Sequence, residues 1–469
     1  MQAAKIMAHR RKQREFEQKK AKVTKGKWNS RSGMVFRQLP VWVYNCWIGL
    51  VFDPLIQEKP RSQGDDFPGA AFFVDAQLRP LRIRVIDRNS GSYRLMKVVV
   101  VGAGIAGASA AFHLTQFGVE VYLVDSNAPG RATLAGAGII CPWLSANQDP
   151  RYETLSFAAV RYYPELAATL SVANKNGVDY DVVGGLVVGE SVEQLDPVVR
   201  RLQKHLERGI EEVGEVRLLE TGGPKALFPY LDSGLAGVYL SGAARVSGES
   251  LRLALLKAAR KAGAGELSGT AVLRCSSGAV VGVQVAEEFI GADAVIVAAG
   301  AWSSELCRPL GLHFAIRPQR GQILHLKVSE TNTEALPVIV PVLSDYYMLA
   351  FRDSRIVVGA TRETGSGFDF RVTAGGVAEV LQEGLRIAPG LKNATLEEIR
   401  VGFRPMSRDG LPLLGRPAAI DGLILATGLG RYGLTLGPYV GLLAAQLAVE
   451  ETPSSDISSF QPDRESVSA

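Results

Sequence analysis

Cysteine and histidine are both scarce. Four cysteines (Cys46, Cys141, Cys275, Cys307) are spread over 469 residues, with no C-x-x-C among them. That excludes a disulfide framework and a zinc ribbon, and it fits a reducing compartment. The five histidines (His9, His113, His205, His313, His325) show no metal-ligand spacing, so no metal site is expected. Long apolar runs are missing too. LPVWVYNCWIGLVF, Leu39 to Phe52, is 14 residues long, short of the ~20 that span a bilayer. It starts too late for a secretory signal, and Glu15 and Glu17 in the basic run before it fit a mitochondrial presequence poorly.

Charge of one sign is lacking where it would matter. Residues 1–95 carry 19 Lys/Arg and 8 Asp/Glu, a net of +11. Taken from +5 for the whole chain, this leaves the body at −6, with no reason to expect a nucleic-acid partner. The basic run His9 to Arg31 can be read as a nucleic-acid or anionic-surface tail. The favoured reading of 1–95 is a disordered extension, with a non-native start as one origin. Met96 stands directly before the first strand, where a dinucleotide-binding domain ordinarily begins.

What is present begins there. MKVVVVGAGIAGASAAFHLTQFGVEVYLVD, Met96 to Asp125, reads as a buried strand, G-x-G-x-x-G, an Ala-rich helix stopped at Gly118, and a second buried strand ending on an acid. Gly102 allows the tight turn, Gly104 lets a pyrophosphate approach the backbone, and Gly107 lets the helix pack on the strand. The helix N-terminus offers N–H groups to phosphates. Asp125 has the spacing of an acid that holds a ribose. A lone glycine motif is weak evidence. Strand, glycines, helix, cap, strand and acid in this order are strong evidence for dinucleotide binding.

Further along, Ser126 to Trp143 is a Gly-rich loop with Thr133 and Gly136-Ala137-Gly138. Tyr152 to Val172 and Ser191 to Val213 read as amphipathic helices around an alternating segment, Tyr180 to Val188. Ala292 to Trp302 is a buried strand ending in Ala-Gly. Alternation from Ile316 to about residue 400 predicts a mostly antiparallel sheet, interrupted by a helix over 374–387. Leu423 to Thr427 is a buried strand, followed by Gly428, Gly430 and Gly433 and a closing helix over 434–448. Residues after Glu451 are expected to fray.

With both ends quoted, the body resembles the FAD-dependent amine and amino-acid oxidoreductases, the D-amino acid oxidase superfamily, over about residues 96–450. AGIICPW (Ala137 to Trp143), VIVAAGAWS (Val295 to Ser303), RPQRGQ (Arg317 to Gln322), VGFRPMSRDGLPLLG (Val401 to Gly415) and ATGLGRYGLTLGP (Ala426 to Pro438) carry the resemblance. They look most like the glycine oxidase and D-amino acid dehydrogenase branch. The implied fold is α/β. A Rossmann-type FAD-binding domain (96–150, 235–310 and 400–451) carries an inserted α+β substrate domain (151–234 and 311–399) built on a mostly antiparallel sheet. Residues 452–469 are a tail.

The resemblance implies FAD, held without a covalent bond because no cysteine or histidine matches the sarcosine oxidase anchors. Gly102, Ala103, Gly104, Ile105, Ala106, Gly107, Asp125 and Ser126 would hold its ADP half. Thr133 and Gly136, Ala137 and Gly138 would lie near the pyrophosphate, ribityl and ring. Gly300 and Ala301 would pass the cofactor. Gly430, Arg431, Tyr432, Gly433, Leu434 and Thr435 would meet the isoalloxazine. Arg404 falls at the family's carboxylate-binding arginine, Tyr347 at a tyrosine that assists it, and Arg431 at an arginine beside the flavin. Asp345 stands where glycine oxidase carries a histidine, which argues against specificity for glycine alone. Leu134 replaces a hydroxyl residue that often follows Thr133.

The implied activity is oxidative deamination of a small amino acid or amine. Hydride passes from the α-carbon to flavin N5, and the imine hydrolyses to keto acid and ammonia. An N-methyl (sarcosine-type) oxidase and a flavin-binding subunit without turnover are the competing readings. Oxygen or a quinone would be the electron acceptor. A homo-oligomer is left open. The expected location is the cytoplasm, at the inner membrane's surface if the protein is a dehydrogenase.

Overall fold

The computed structural model describes residues 83–86, 92–145, 147–173, 177–329, 332–342 and 344–465. The basic run, Cys46 and the apolar stretch at 39–52 lie outside them. Within 1–95, Arg84–Ile86 and Tyr93–Leu95 pair antiparallel. Arg94 makes a two-pronged ion pair with Asp293, at 2.6 and 2.7 Å, and Asp293 also accepts the Lys97 N–H. This corrects the reading of 1–95 as disordered up to the first strand. The described residues before it are held by a strand pairing and a carboxylate, which hydrophobic periodicity does not reveal.

The nucleotide half is a six-stranded sheet. Its order is Gly265–Ser268, Glu120–Asp125, Lys97–Val101, Ala294–Val297, Leu423–Thr427, Leu413–Gly415. The first five run parallel and the last is antiparallel. Val98, Val99 and Val100 are buried on both faces, as expected of central parallel strands covered on two sides. The first helix, Ile105–Gln116, is rich in small residues because the closing helix, Gly433–Ala448, lies against it. A Cβ at Gly441 would sit 2.6 Å from the Ser109 Cβ. Ser109 Oγ donates to the Pro438 carbonyl at 2.6 Å.

Pro438 sits inside the closing helix and has no N–H to give the Leu434 carbonyl. The buried Tyr163 hydroxyl donates to that carbonyl instead, so the acceptor is not orphaned.

The second layer is a nine-stranded sheet. Its path runs Glu363–Thr364, Arg317–Lys327, Arg355–Gly359, Tyr347–Phe351, Val338–Pro341, Gly185–Gly189, Ala236–Leu240, Val216–Leu219, with Thr395–Met406 paired to Arg317–Lys327. All its pairs are antiparallel except Val338–Pro341 with Gly185–Gly189. Two registers matter below: Gln319 lies opposite Arg404, and Tyr347 opposite Gly359. Ala236–Leu240 and residues 400–406 were grouped with the nucleotide half by sequence. Their ladder partners place them in this sheet, since Ala236–Leu240 pairs with Gly185–Gly189. The interrupting helix is Ala374–Ile387. The helix expected over 191–213 is shorter, Asp196–Glu207, with proline in its first turn.

The end of the chain does not fray up to residue 465. Ile457 and Phe460 are buried in the core beside the closing helix. Arg464 pairs with Asp409 at 2.9 Å, and Asp463 accepts the Ala418 N–H. Two apolar residues in a Ser/Asp/Pro-rich stretch were enough to dock it.

Two histidines, buried His325 and half-buried His113, are held neutral. Arg355 Nη1 lies 3.2 Å from His325 Nδ1. An arginine only donates, so that nitrogen accepts and the ring proton sits on Nε2. Burial, helped by Arg400 and Arg355, brings the His325 pKa down to about 4. Burial brings His113 down to about 3. The unfolded chain binds both protons near pH 6.5. Their folded values are depressed, so the unfolded state holds more protons below pH 6.5, and stability falls as pH falls. The loss continues to about pH 4 for His325 and about pH 3 for His113. The melting temperature is therefore expected to drop between pH 6.5 and pH 4, and His325→Leu should flatten part of that slope. A slope unchanged in the variant would show that His325 titrates normally.

Candidate active site

The first strand ends at Gly102, with φ +102°. A Cβ there would come within 2.7 Å of the Ala298 carbonyl carbon. A Cβ at Gly107 would overlap the Gly102 carbonyl oxygen. At Gly104 the nearest atom to such a Cβ is Thr133 Oγ1, at 3.4 Å. Gly102 and Gly107 are thus required by the protein's own packing, and Gly104 leaves room on the cavity side. Asp125 is fixed in turn. One carboxylate oxygen accepts the Ala103 N–H at 2.5 Å and the other the Asn127 N–H at 2.7 Å. Arg131 Nη1 stands 3.4 Å away.

Thr133 is buried, and its hydroxyl accepts the Ile105 N–H at 3.0 Å. It therefore links the loop to the first turn of the helix. Gly138, at φ +100°, lies so close to the Val246 carbonyl that a Cβ would overlap it. Leu134 does not line the cavity, and its carbonyl accepts from Arg400. The turn at Gly300 is tied to the closing strand, because Thr427 Oγ1 donates to the Gly300 carbonyl at 2.9 Å. Tyr432 accepts a hydrogen bond from Ser145 at 2.7 Å and packs on the Tyr152 ring. Thr435 donates to the Ile139 carbonyl.

The end of the cavity lined by Arg404 and Tyr347 lies on the nine-stranded sheet. Arg404 Nη1 donates to the Thr361 carbonyl at 2.9 Å. A Cβ at Gly321 would fall 2.7–2.8 Å from the guanidinium, so glycine on the neighbouring strand lets it lie flat. Tyr347 is placed the same way, its hydroxyl 2.9 Å from where a Gly359 Cβ would be. Asp345 pairs with Arg362 at 2.5 Å and lies 3.8 Å from Arg431.

A single cavity of about 960 Å³ joins these pieces, near the top of the usual ~300–1,000 Å³ range for ligand sites. Of the candidate residues, only Ala103 and Gly107 do not line it. Their work is behind the wall: Ala103 binds Asp125 and accepts from Arg252, and Gly107 seats the helix. Sequence reading missed Arg362 and Arg201, which also line it. Arg362 follows a strand in an unremarked T-R-E. Only the pairing of Arg355–Gly359 with Tyr347–Phe351 brings it beside Asp345. Burial, then the charge of Arg431, draws the Arg362 guanidinium below its usual range, with Asp345 opposing. Among the described residues, no cluster of three His, Cys, Asp or Glu could hold a metal. None of their helices is long and apolar enough to cross a membrane.

A Gly-turned βαβ cradle that opens into a large pocket defines a dinucleotide-dependent enzyme. The model of the FAD dependent oxidoreductase family matches residues 97–447. The chain belongs to that family, and FAD is its cofactor. An uncharacterized oxidoreductase of Bacillus subtilis, YurR, is 42% identical over 78% of this chain and 98% of its own length. A glycine oxidase of Pseudomonas aeruginosa is 32% identical over 78% and 98%. Among solved structures, iminodiacetate oxidase from Chelativorans sp. BNC1 is 43% identical, with TM-score 0.76, over 78% and 98%.

The cradle fits FAD by its own geometry. Gly104 leaves a Cβ-sized space facing the cavity, Asp125 is oriented by two backbone N–H groups, and the N-terminus of the closing helix lines the far wall.

Proposed function

We propose that the protein oxidises a small carboxylate-bearing amine at the carbon next to nitrogen. The product imine would be hydrolysed by water to a keto acid and ammonia. The observation that carries this reading is Arg404, whose guanidinium faces the same cavity as the nucleotide cradle, over a strand that has glycine beneath it. FAD supplies the hydride acceptor when bound. Gly102, Gly104, Asp125, Ser126 and Thr133 would hold its ADP half and pyrophosphate. Gly136 to Gly138, Gly300, Ala301 and Gly430 to Thr435 would hold the rest.

The chain's own contribution is positioning. Arg404 takes the carboxylate in a two-pronged fork, which lysine could not reproduce. The Tyr347 hydroxyl would add a donor to the same group. Arg431 stands at the rim, with its side chain 38% exposed. No acid–base pair is needed if the amine arrives neutral. Attachment of the flavin is read as non-covalent. Cys141 lines the cavity, but burial pushes its thiol well above the usual range, and the thiolate is the reactive form. Acid denaturation is expected to release all of the yellow colour into the supernatant. Colour left on the precipitated protein would overturn this.

A second reading is an N-substituted amine as substrate, whose imine would be hydrolysed by water to a carbonyl compound and a primary amine. The 43% identity to an iminodiacetate oxidase favours it, since iminodiacetate is a secondary amine. Oxygen or a quinone then accepts the electrons. A cytoplasmic location belongs to the same reading, supported by three free cysteines among the described residues. The test is anaerobic bleaching of the flavin by glycine, D-alanine, sarcosine and iminodiacetate. Bleaching by the first two supports deamination, and by the last two the N-substituted reading. No bleaching by any would overturn both.

A further inference from the structure

The substrate end carries more positive charge than one carboxylate can balance. Arg362, Arg404 and Arg431 face Asp345 as the one acid lining this end among the described residues. Arg404 has no carboxylate within ion-pair distance among the described residues. Its Nη1 is held by the Thr361 carbonyl at 2.9 Å and approaches Gln319 Oε1 at 3.4 Å. Arg362 is held twice. Its Nη2 donates to the Asp345 backbone carbonyl at 2.6 Å, and its Nη1 meets the Asp345 carboxylate at 2.5 Å.

These two holds differ in kind. The backbone carbonyl is fixed. The Asp345 side chain is 62% exposed, against 25% for Arg362, and it sits on a bend between strands. The carboxylate can swing to water and leave the arginine in place. Arg362 is also next to Arg404 by construction, because Arg404 bonds the carbonyl of Thr361, one residue before it. After burial and Arg431, the Arg404 charge also acts on the Arg362 guanidinium, drawing it below its usual range, and two neighbouring guanidinium groups suit two carboxylates on one small molecule.

We propose that the substrate is a small amine bearing two carboxylates, one on Arg404 and Tyr347 and the other on Arg362, where it displaces the Asp345 side chain. The inference rests on the reading of Arg404 given above. Asp345 then acts as a stand-in that neutralises Arg362 until substrate arrives. Two short carboxylates balance the net +2 of the three arginines and Asp345, whereas glycine or sarcosine leaves +1. A monocarboxylate leaves Arg362 on Asp345 and gains nothing there, whereas a second carboxylate adds a charge-assisted pair to that partly buried guanidinium, so the pocket favours the dicarboxylates.

The holoenzyme would be assayed with iminodiacetate and D-aspartate, which place the second carboxylate on nitrogen or on carbon, and with sarcosine and glycine. The wild type is expected to prefer one of the dicarboxylates. Arg362→Met should lower the ratio of kcat/KM for that dicarboxylate over sarcosine on the order of 100-fold. Asp345→Asn, which keeps the shape and removes the competing charge, should raise the same ratio severalfold. It also serves if the first variant fails to fold. An unchanged ratio in Asp345→Asn, or an equal loss on both substrates in Arg362→Met, would overturn the proposal. So would a ratio that moves in Arg201→Met instead, since Arg201 lines the cavity from the helix Asp196–Glu207. Turnover of monocarboxylates with no dicarboxylate preference would sink this proposal alone. Failure of every amine to reduce the flavin would sink the reading of Arg404 with it.

Discussion

Arg404→Ala is expected to keep its flavin and lose its substrate. Removing one partner of a buried, hydrogen-bonded charge pair costs about 2–5 kcal/mol. That is roughly a 30- to 5,000-fold loss in kcat/KM, seen mainly as a raised KM because the carboxylate is held both before and during the reaction. The flavin should stay because the contacts of Arg404 are to Thr361 and Gln319 on the nine-stranded sheet, not to the Gly102 turn. Arg404→Lys should recover only part of the loss, since an ammonium cannot form the fork. Two readouts separate the outcomes. Visible absorbance per protein reports flavin content, and the shift of that spectrum on adding a non-oxidisable carboxylate such as acetate reports the anchor. A variant that purifies colourless, or that binds acetate as tightly as the wild type, would remove Arg404 from its assigned place.

The second large effect is at the glycine turn, where two neighbouring substitutions should behave differently. Gly107→Ala puts a methyl onto the Gly102 carbonyl oxygen. That carbonyl cannot retreat, because Gly102 is itself pressed against Ala298 and Ala299. The helix must lift from the sheet, and the protein is expected to be insoluble or to melt far below the wild type. Gly104→Ala is gentler on the chain. Its φ is −68°, allowed for any residue, and the new Cβ has Thr133 at 3.4 Å. It should fold and bind FAD on the order of 10- to 100-fold more weakly, through loss of charge-assisted hydrogen bonds to the pyrophosphate worth about 1.5–3 kcal/mol. Flavin titration of apoprotein together with thermal melting checks both. Equal melting temperatures for the two variants would contradict the packing described for Gly107.

Much of this was readable in the chain. The Gly102 turn, Asp125 and the closing helix show because their signals are local: glycines, β-branched runs and an acid at fixed spacing within 30 residues. The helix over 374–387 and the strand over 423–427 match the structure at both ends for the same reason. The pocket floor was only partly visible. Arg404 stood out through its motif and Tyr347 through the family resemblance. Arg362 did not, because its importance comes from a register between two strands. Nor did the pairing of Arg84–Ile86 with Tyr93–Leu95, next to an arginine held by Asp293 nearly two hundred residues away. The docked end of the chain turned on Ile457 and Phe460, two side chains that no periodic pattern surrounds.

The strand order has a consequence for how the protein comes into being. Ala294–Val297 lies between Lys97–Val101 and Leu423–Thr427, so the centre of the nucleotide sheet waits for a strand made long after its neighbours. At ~5–20 residues per second, a ribosome takes on the order of 10 seconds to travel from Ala294–Val297 to Leu423–Thr427. During that interval the Val-rich edge of Ala294–Val297 has no partner on one side. The nascent chain is therefore exposed to mispairing at that strand until Leu423–Thr427 is made.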